Sequence, residues 1–182
     1  MVALNKQIDV YCEADEKITT VVAYSTEFMA WGSVVTKERI RVSTWLRTNA
    51  APESVCLFNA MLLFPESANS RPMTFPEIHI PIVKIAAFHI MPPASDPIDY
   101  DANEINRKMD LVTAIVGSFR MDGKLRISQS TDLKKYLEIS RENYTPLYEV
   151  TISHPSITQM NLPKVNYVLV RQNATAFAHR LS

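Results

Sequence analysis

Apolar side chains in residues 18–91 occur in five short runs, the first of them rich in β-branched residues, and such runs predict β-strands; the last two runs form one long strand or two shorter ones. Pro76 and Pro81 cannot donate a ladder hydrogen bond, so we expect them at a strand start, an edge or a bulge. This stretch is therefore predicted to be a meander of about five strands. The runs cover residues 18–25 (ITTVVAYS), 27–35 (EFMAWGSVV), 54–64 (SVCLFNAMLLF), 73–83 (MTFPEIHIPIV) and 84–91 (KIAAFHIM).

A short helix is predicted after the second strand, because three apolar residues there are spaced i, i+3 and i+4 and so share one helical face. The same spacing recurs 91 residues later. The two sets are Val42, Trp45 and Leu46, and Leu133, Tyr136 and Leu137. Trp45 and Tyr136 are large enough to plug one end of a small barrel; the alternative is that these helices form part of an interface.

The rest of the second stretch also follows the first, which predicts an internal duplication. The matching shift is 91 positions at first, becomes 90 after a one-residue gap, and becomes 87 after a further gap of three residues. The pairs matched at the three shifts include Gly32 with Gly123 and Trp45 with Tyr136, then Phe58 with Tyr148, and finally Ile80 with Tyr167. Gly32 and Gly123 are isolated within strand patterns, so we interpret them as bulge or bend points.

This pattern predicts a mainly β fold of two tandem, pseudo-repeated small β-barrels, SH3-like or Sm-like, each with one short helix after its second strand. Short, strongly bent strands close into barrels, which removes their exposed edges. The predicted divisions are an N-terminal arm (1–17), a first barrel (18–91), an acidic, proline-containing linker (92–108), a second barrel (109–178) and a tail (179–182).

The stretch GKLRISQSTDLKKYLEISRENYTPLYEVTI in the second copy resembles a family of uncharacterised bacterial small-barrel domains of Sm-like or SH3-like character. The first copy departs from this pattern where Arg41-Val42-Ser43 replaces a leucine-rich helix start. The resemblance covers both copies but not the arm, linker or tail. Its motifs are structural, and it implies a fold without an activity.

Charge and composition argue against three classes of protein: polyanion-binding, secreted and membrane-spanning. The chain has 19 basic and 19 acidic residues, so no global field draws it to polyanions. Its N-terminus lacks the pattern of a secretory signal, and no apolar run reaches the roughly 20 residues of a membrane span. Cys12 and Cys56 form no CxxC pattern. These features predict a cytoplasmic protein without membrane insertion.

The arm and linker together carry 4 basic and 8 acidic residues. We consider two interpretations of this composition. The two segments lie across the barrels, or they are simply solvated.

Candidate chemistry is sparse. The three glycines form no phosphate-binding loop, and no catalytic motif is present. His79 and His89 could meet across a hairpin, but two histidines alone make a poor metal site, and the sequence shows no nearby Asp or Cys to complete one. Cys56 is interpreted as a buried small apolar residue. We therefore predict no catalytic residue, cofactor or metal.

The leading hypothesis is a non-enzymatic interaction or scaffold protein that associates with itself or with another chain, because the duplication keeps packing residues and no polar site. The alternative is binding of RNA or single-stranded DNA through basic strand–helix turns, with aromatic side chains offering stacking faces. The basic candidates are Lys37, Arg39, Arg41, Arg47, Lys124, Arg126, Lys134 and Lys135.

Overall fold

The computed structural model describes residues 8–65, 71–157 and 164–180 and contains ten antiparallel strands. Two helices follow the second and seventh strands: a 3₁₀ helix, Val42–Arg47, here called the first-half helix, and α1, Leu133–Ile139. The strands are β1 Glu16–Tyr24, β2 Met29–Lys37, β3 Ser54–Leu63, β4 Met73–Pro81, β5 Ala87–Ile90, β6 Arg107–Val116, β7 Phe119–Ser128, β8 Tyr144–Ser153, β9 Val165–Arg171 and β10 Ala176–His179.

All ten strands belong to one open sheet, in the order β10-β6-β7-β8-β9-β5-β1-β2-β3-β4. The mainly β class is confirmed, but the prediction of two small barrels, each with its own helix, is wrong. In a closed first barrel β5 would pair with β4. It pairs instead with β9, where Ala87 faces Val170 and Phe88 faces Leu169. This junction, here called the seam, fuses both halves and leaves β4 and β10 as the two edges of the sheet among the described residues.

The first half (β1–β5) and the second half (β6–β10) have the same strand order within the sheet. Val21 pairs with Gly32 as Val112 pairs with Gly123, a shift of 91. The β3–β4 and β8–β9 ladders match at a shift of 90. The predicted shift of 87 in the last block is therefore wrong, because Ile80 corresponds to Val170 and not to Tyr167. The duplication itself stays a prediction.

A β-bulge lies opposite each of the two strand glycines. The β2–β3 register shifts between Trp31 and Ser33, and the β7–β8 register shifts between Asp122 and Lys124. In each case one residue of the partner strand has positive φ, 48° at Asn59 and 50° at Glu149. A Cβ on Gly32 would lie 2.8 Å from the Phe58 carbonyl oxygen, so the missing side chain admits the bulged strand.

The two helices differ in burial although their sequences are alike. Trp45 and Leu46 are buried in the first-half core, and the first-half helix packs against β5 and β9. Tyr136 and Leu137 of α1 are only half-buried. The first-half helix thus lies at the seam, where β9 of the other half packs on it. Among the described residues, the first half does not cover α1 in the same way.

Candidate functional site

The seam is held by backbone pairing and by one buried arginine. The Arg171 backbone N–H donates to the Ala86 carbonyl oxygen (2.8 Å), and its Nε donates to the Ile85 carbonyl oxygen (3.0 Å). The Arg171 guanidinium also donates to the Tyr144 hydroxyl (2.8 Å), which donates to Ile85. Arg171 and Tyr144 belong to the second half and Ile85 to the first, so these bonds tie the halves together.

The second half also covers the outer face of β1 and β5. Tyr24 is fully buried there, and its ring meets Phe119 edge-on at a centroid distance of 4.9 Å. Phe119 in turn packs on His154 at 4.8 Å. Such edge-to-face pairs contribute beyond their buried area. The outer face of the first half is thus an intramolecular docking surface.

His89 of β5 lies beneath this cover. Its Nδ1 is 2.8 Å from the Ile90 carbonyl oxygen, which can only accept, so Nδ1 carries the proton and Nε2 accepts from the Tyr24 hydroxyl at 3.1 Å. Burial lowers the pKa of His89 to about 4, although its bond to the Ile90 carbonyl opposes this shift. The imidazole is therefore neutral in the folded protein.

Acidification is expected to destabilise the protein through His89. The pKa of His89 is about 4 in the folded protein and about 6.5 in the unfolded chain. Its contribution to the free energy of unfolding is therefore full above pH 6.5 and is lost as the pH falls through 4. Urea denaturation should show that the wild type loses about 3 kcal/mol more than His89→Gln between pH 6.5 and 4. Equal losses in both proteins would contradict this role.

The counterpart of this docking surface in the second half is exposed. Ile115 of β6 occupies the position of the fully buried Tyr24, and it is 37% exposed. Ala176 of β10 corresponds to the buried Ala87 and is exposed. Leu111, on the same face of β6, is 36% exposed. The outer face of β6 and β10, here called the β10 face, thus exposes apolar side chains among the described residues. Between Leu111 and Ile115 lies Thr113, which is buried and donates a hydrogen bond to Asp122.

The first half carries the counterpart of the covering surface. Phe28 and Phe64 pack together edge-on at 5.9 Å, at the positions of Phe119 and His154. Phe64 is 41% exposed. The adjacent β4 edge corresponds to β9, the strand that pairs across the seam. We call Phe28, Phe64 and β4 the β4 face.

The linker crosses both halves as an ordered strap, residues 92–106. Asp96 accepts a hydrogen bond from the Ser43 backbone N–H (2.8 Å), and Arg41 donates to the Pro97 carbonyl oxygen (2.7 Å). Arg126 of β7 forms an ion pair with Glu104. For the linker, the interpretation that it lies across the halves is the one observed. In the arm, Ile8 is hydrogen-bonded to Asn59 of β3, and residues 1–7 lie outside the described residues.

Asp99 is the centre of the strap. Its carboxylate accepts hydrogen bonds from the hydroxyls of Tyr148 (2.8 Å) and Tyr167 (3.0 Å), and it pairs with Arg47 at 3.4 Å. Burial raises the pKa of both tyrosines, and Asp99 raises it further, at Tyr148 through its hydrogen bond and at Tyr167 through its charge, so both stay protonated donors. The sequence analysis did not predict this cluster, although the excess of acidic residues in the linker indicated that the linker could pair with basic residues elsewhere.

Six of the eight basic candidates are engaged within the molecule. Arg41, Arg47 and Arg126 contact the strap, and Arg47 also pairs with Glu142 at 2.6 Å. Lys37 contacts three acids at the end of the arm and the start of β1; Lys124 pairs with Glu149 and Lys134 with Glu138. Arg39 and Lys135 are exposed. Arg47 and Arg126 line one cleft together with the acidic Asp99 and Glu142.

The histidine predictions need correction. His79 lies on β4 and His89 on β5, at opposite sides of the first half, so the two do not meet. Cys56 is half-buried rather than fully buried, and it faces His79 directly across the β3–β4 ladder. Glu77 completes a group whose ligand atoms all lie within 4.8 Å of one another. The strand register brings together what the sequence spacing of 21 and 23 residues separates.

Among residues 8–65, 71–157 and 164–180, no helix has the length and apolar character needed to cross a membrane. Comparisons with family models, curated proteins and solved structures found no match to this chain.

Proposed function

We propose that the protein is a non-enzymatic scaffold that associates with further copies of itself head to tail, with the β10 face of one copy docking on the β4 face of the next. The observation that supports this most is the exposure difference between equivalent positions. Tyr24 is 0% exposed where the second half covers it, whereas Ile115 at the corresponding position is 37% exposed.

The seam supplies the geometry of the contact. In the seam, Phe88 pairs with Leu169, and the corresponding pair between two copies is Phe177 of β10 with His79 of β4. Ile115 then approaches Phe28, which packs on Phe64, as Tyr24 approaches Phe119, which packs on His154. β4 of the neighbouring copy then covers the half-buried face of α1, as β9 covers the first-half helix.

A contact between two different faces has defined consequences. Each copy keeps one unused face of each kind, so association continues until a ring closes or a filament grows. Pro81 stands at the position of Arg171 and has no N–H to donate to the neighbour. The contact between copies is therefore weaker than the seam, and we expect it to depend on concentration.

Multi-angle light scattering across a concentration series tests the proposal. The wild type should show masses at multiples of 20.6 kDa that rise with concentration. Ile115→Lys places a charge in the contact and should stay monomeric. The matched control is Ile105→Lys, because Ile105 is 86% exposed in the strap. A wild type that is monomeric at every concentration would exclude self-association, and equal masses for both variants would exclude the β10 face.

A further inference from the structure

The cluster on the outer face of β3 and β4 combines three kinds of metal ligand. Cys56 and His79 are direct cross-strand partners, and Glu77 lies two residues before His79 and so on the same face of β4. His79 Nε2 is 3.7 Å from Glu77 Oε1. The Cys56 sulfur, a nitrogen of His79 and an oxygen of Glu77 all lie within 4.8 Å of one another.

We propose that Cys56, Glu77 and His79 bind a zinc-class divalent cation. A thiolate, an imidazole and a carboxylate are the ligand types that Zn²⁺ takes, whereas Mg²⁺ and Ca²⁺ take oxygen ligands. In a tetrahedral shell with Zn–S near 2.3 Å and Zn–N near 2.0 Å, sulfur and nitrogen lie about 3.5 Å apart. Small rotamer changes on two fixed strands reach this separation.

The surroundings of the cluster favour a ligand. His79 and Glu77 have exposed side chains, at 62% and 55%, so a hydrated cation can reach them and the fourth coordination position stays open to water. Cys56 is half-buried, and its sulfur lies within reach of both exposed ligands. The thiol must release its proton when it binds the cation, so binding should strengthen as the pH rises.

The cluster is not part of the framework that the two halves share. At a shift of 90, the second half has Pro146, Tyr167 and Leu169 in place of Cys56, Glu77 and His79. Those residues lie beneath the strap and the first-half helix. In a single copy this ligand set lies where the face of the sheet is open to solvent, whereas the head-to-tail contact would place Phe177 and α1 of a neighbouring copy over it.

Titration with Co²⁺, followed by absorption spectroscopy, tests the site in the full-length protein. A thiolate ligand gives a sulfur-to-cobalt charge-transfer band, and tetrahedral geometry gives intense visible bands. We expect one equivalent to bind to the wild type and to Cys12→Ser, the control for the other thiol. Cys56→Ser should lose the charge-transfer band, and His79→Asn should weaken binding at least tenfold.

A second measurement needs no variant. Zn²⁺ should protect Cys56, but not Cys12, from alkylation in the folded wild type, as read by peptide mass spectrometry. The proposal is overturned if the wild type gives no cobalt–thiolate band, if Cys56→Ser keeps the band, or if Zn²⁺ leaves Cys56 alkylation unchanged. His79 belongs to the proposed contact between copies as well as to the metal cluster, so these readouts are taken in dilute protein, where single copies leave His79 free of Phe177 and the metal site is tested separately from self-association.

Discussion

Phe88→Ala is expected to lower the free energy of unfolding by about 4 kcal/mol. Phe88 is fully buried, belongs to the first-half core and pairs with Leu169 across the seam. Removal of its ring opens a cavity that both halves line, so neither half can collapse into it alone. Urea denaturation monitored by tryptophan fluorescence and by circular dichroism should give one coincident, destabilised transition.

Phe177→Ala is the matched control, since Phe177 holds the corresponding position on the free β10 edge and is half-buried. We expect it to destabilise a single copy by about 1 kcal/mol and to weaken association. Similar losses of stability in both variants would show that the seam does not bury Phe88 more than the free edge buries Phe177.

Gly123→Val is expected to destabilise the protein by about 3 kcal/mol, as measured by thermal and urea unfolding. A Cβ at Gly123 would lie 2.8 Å from Val150 Cγ2 and 3.1 Å from the Tyr148 carbonyl oxygen. Val150 is fully buried and packed in the second-half core, and the carbonyl belongs to the bulged strand. Neither can retreat without displacing β8 from β7.

Lys124→Ala, at the next residue, is the control for Gly123→Val. Lys124 pairs with Glu149 at 2.8 Å, but both side chains are more than a third exposed, so the loss should stay below about 1 kcal/mol. Equal, small changes in melting temperature for the two variants would show that Gly123 does not mark a close approach of the strands.

The local elements could be predicted from the sequence because their causes are local. The apolar runs predict strands, and the i, i+3, i+4 spacing of Val42, Trp45 and Leu46 predicts a short helix where the structure has the 3₁₀ helix Val42–Arg47. A glycine within a strand pattern indicates a bulge, and both bulges lie opposite such glycines.

The closure of the sheet could not be predicted in the same way. Pairing β5 with β9 or with β4 satisfies the same backbone groups, and no local pattern distinguishes the two. One signal does exist. Residues 21–24 and 87–90 are apolar on almost every position and are buried on both faces of the sheet. A single small barrel would leave one of those faces in water.

The candidate sites depended on contacts between distant segments. The basic residues looked available in the sequence, but Arg41, Arg47 and Arg126 are held by the strap. The Cys56–His79 pair required the register of β3 against β4, which sequence spacing does not provide. In both cases the sequence shows the residue types, but only the folded structure shows which residues they contact.

The most direct test of head-to-tail assembly is to mix two variants that are each blocked at one face. Ile115→Lys blocks the β10 face, and Phe64→Lys blocks the β4 face. Each variant alone should be monomeric by light scattering, while an equimolar mixture should form a complex of one copy of each, and nothing larger. A mixture that stays monomeric, or a variant that still forms homodimers through its intact face, would contradict the head-to-tail contact.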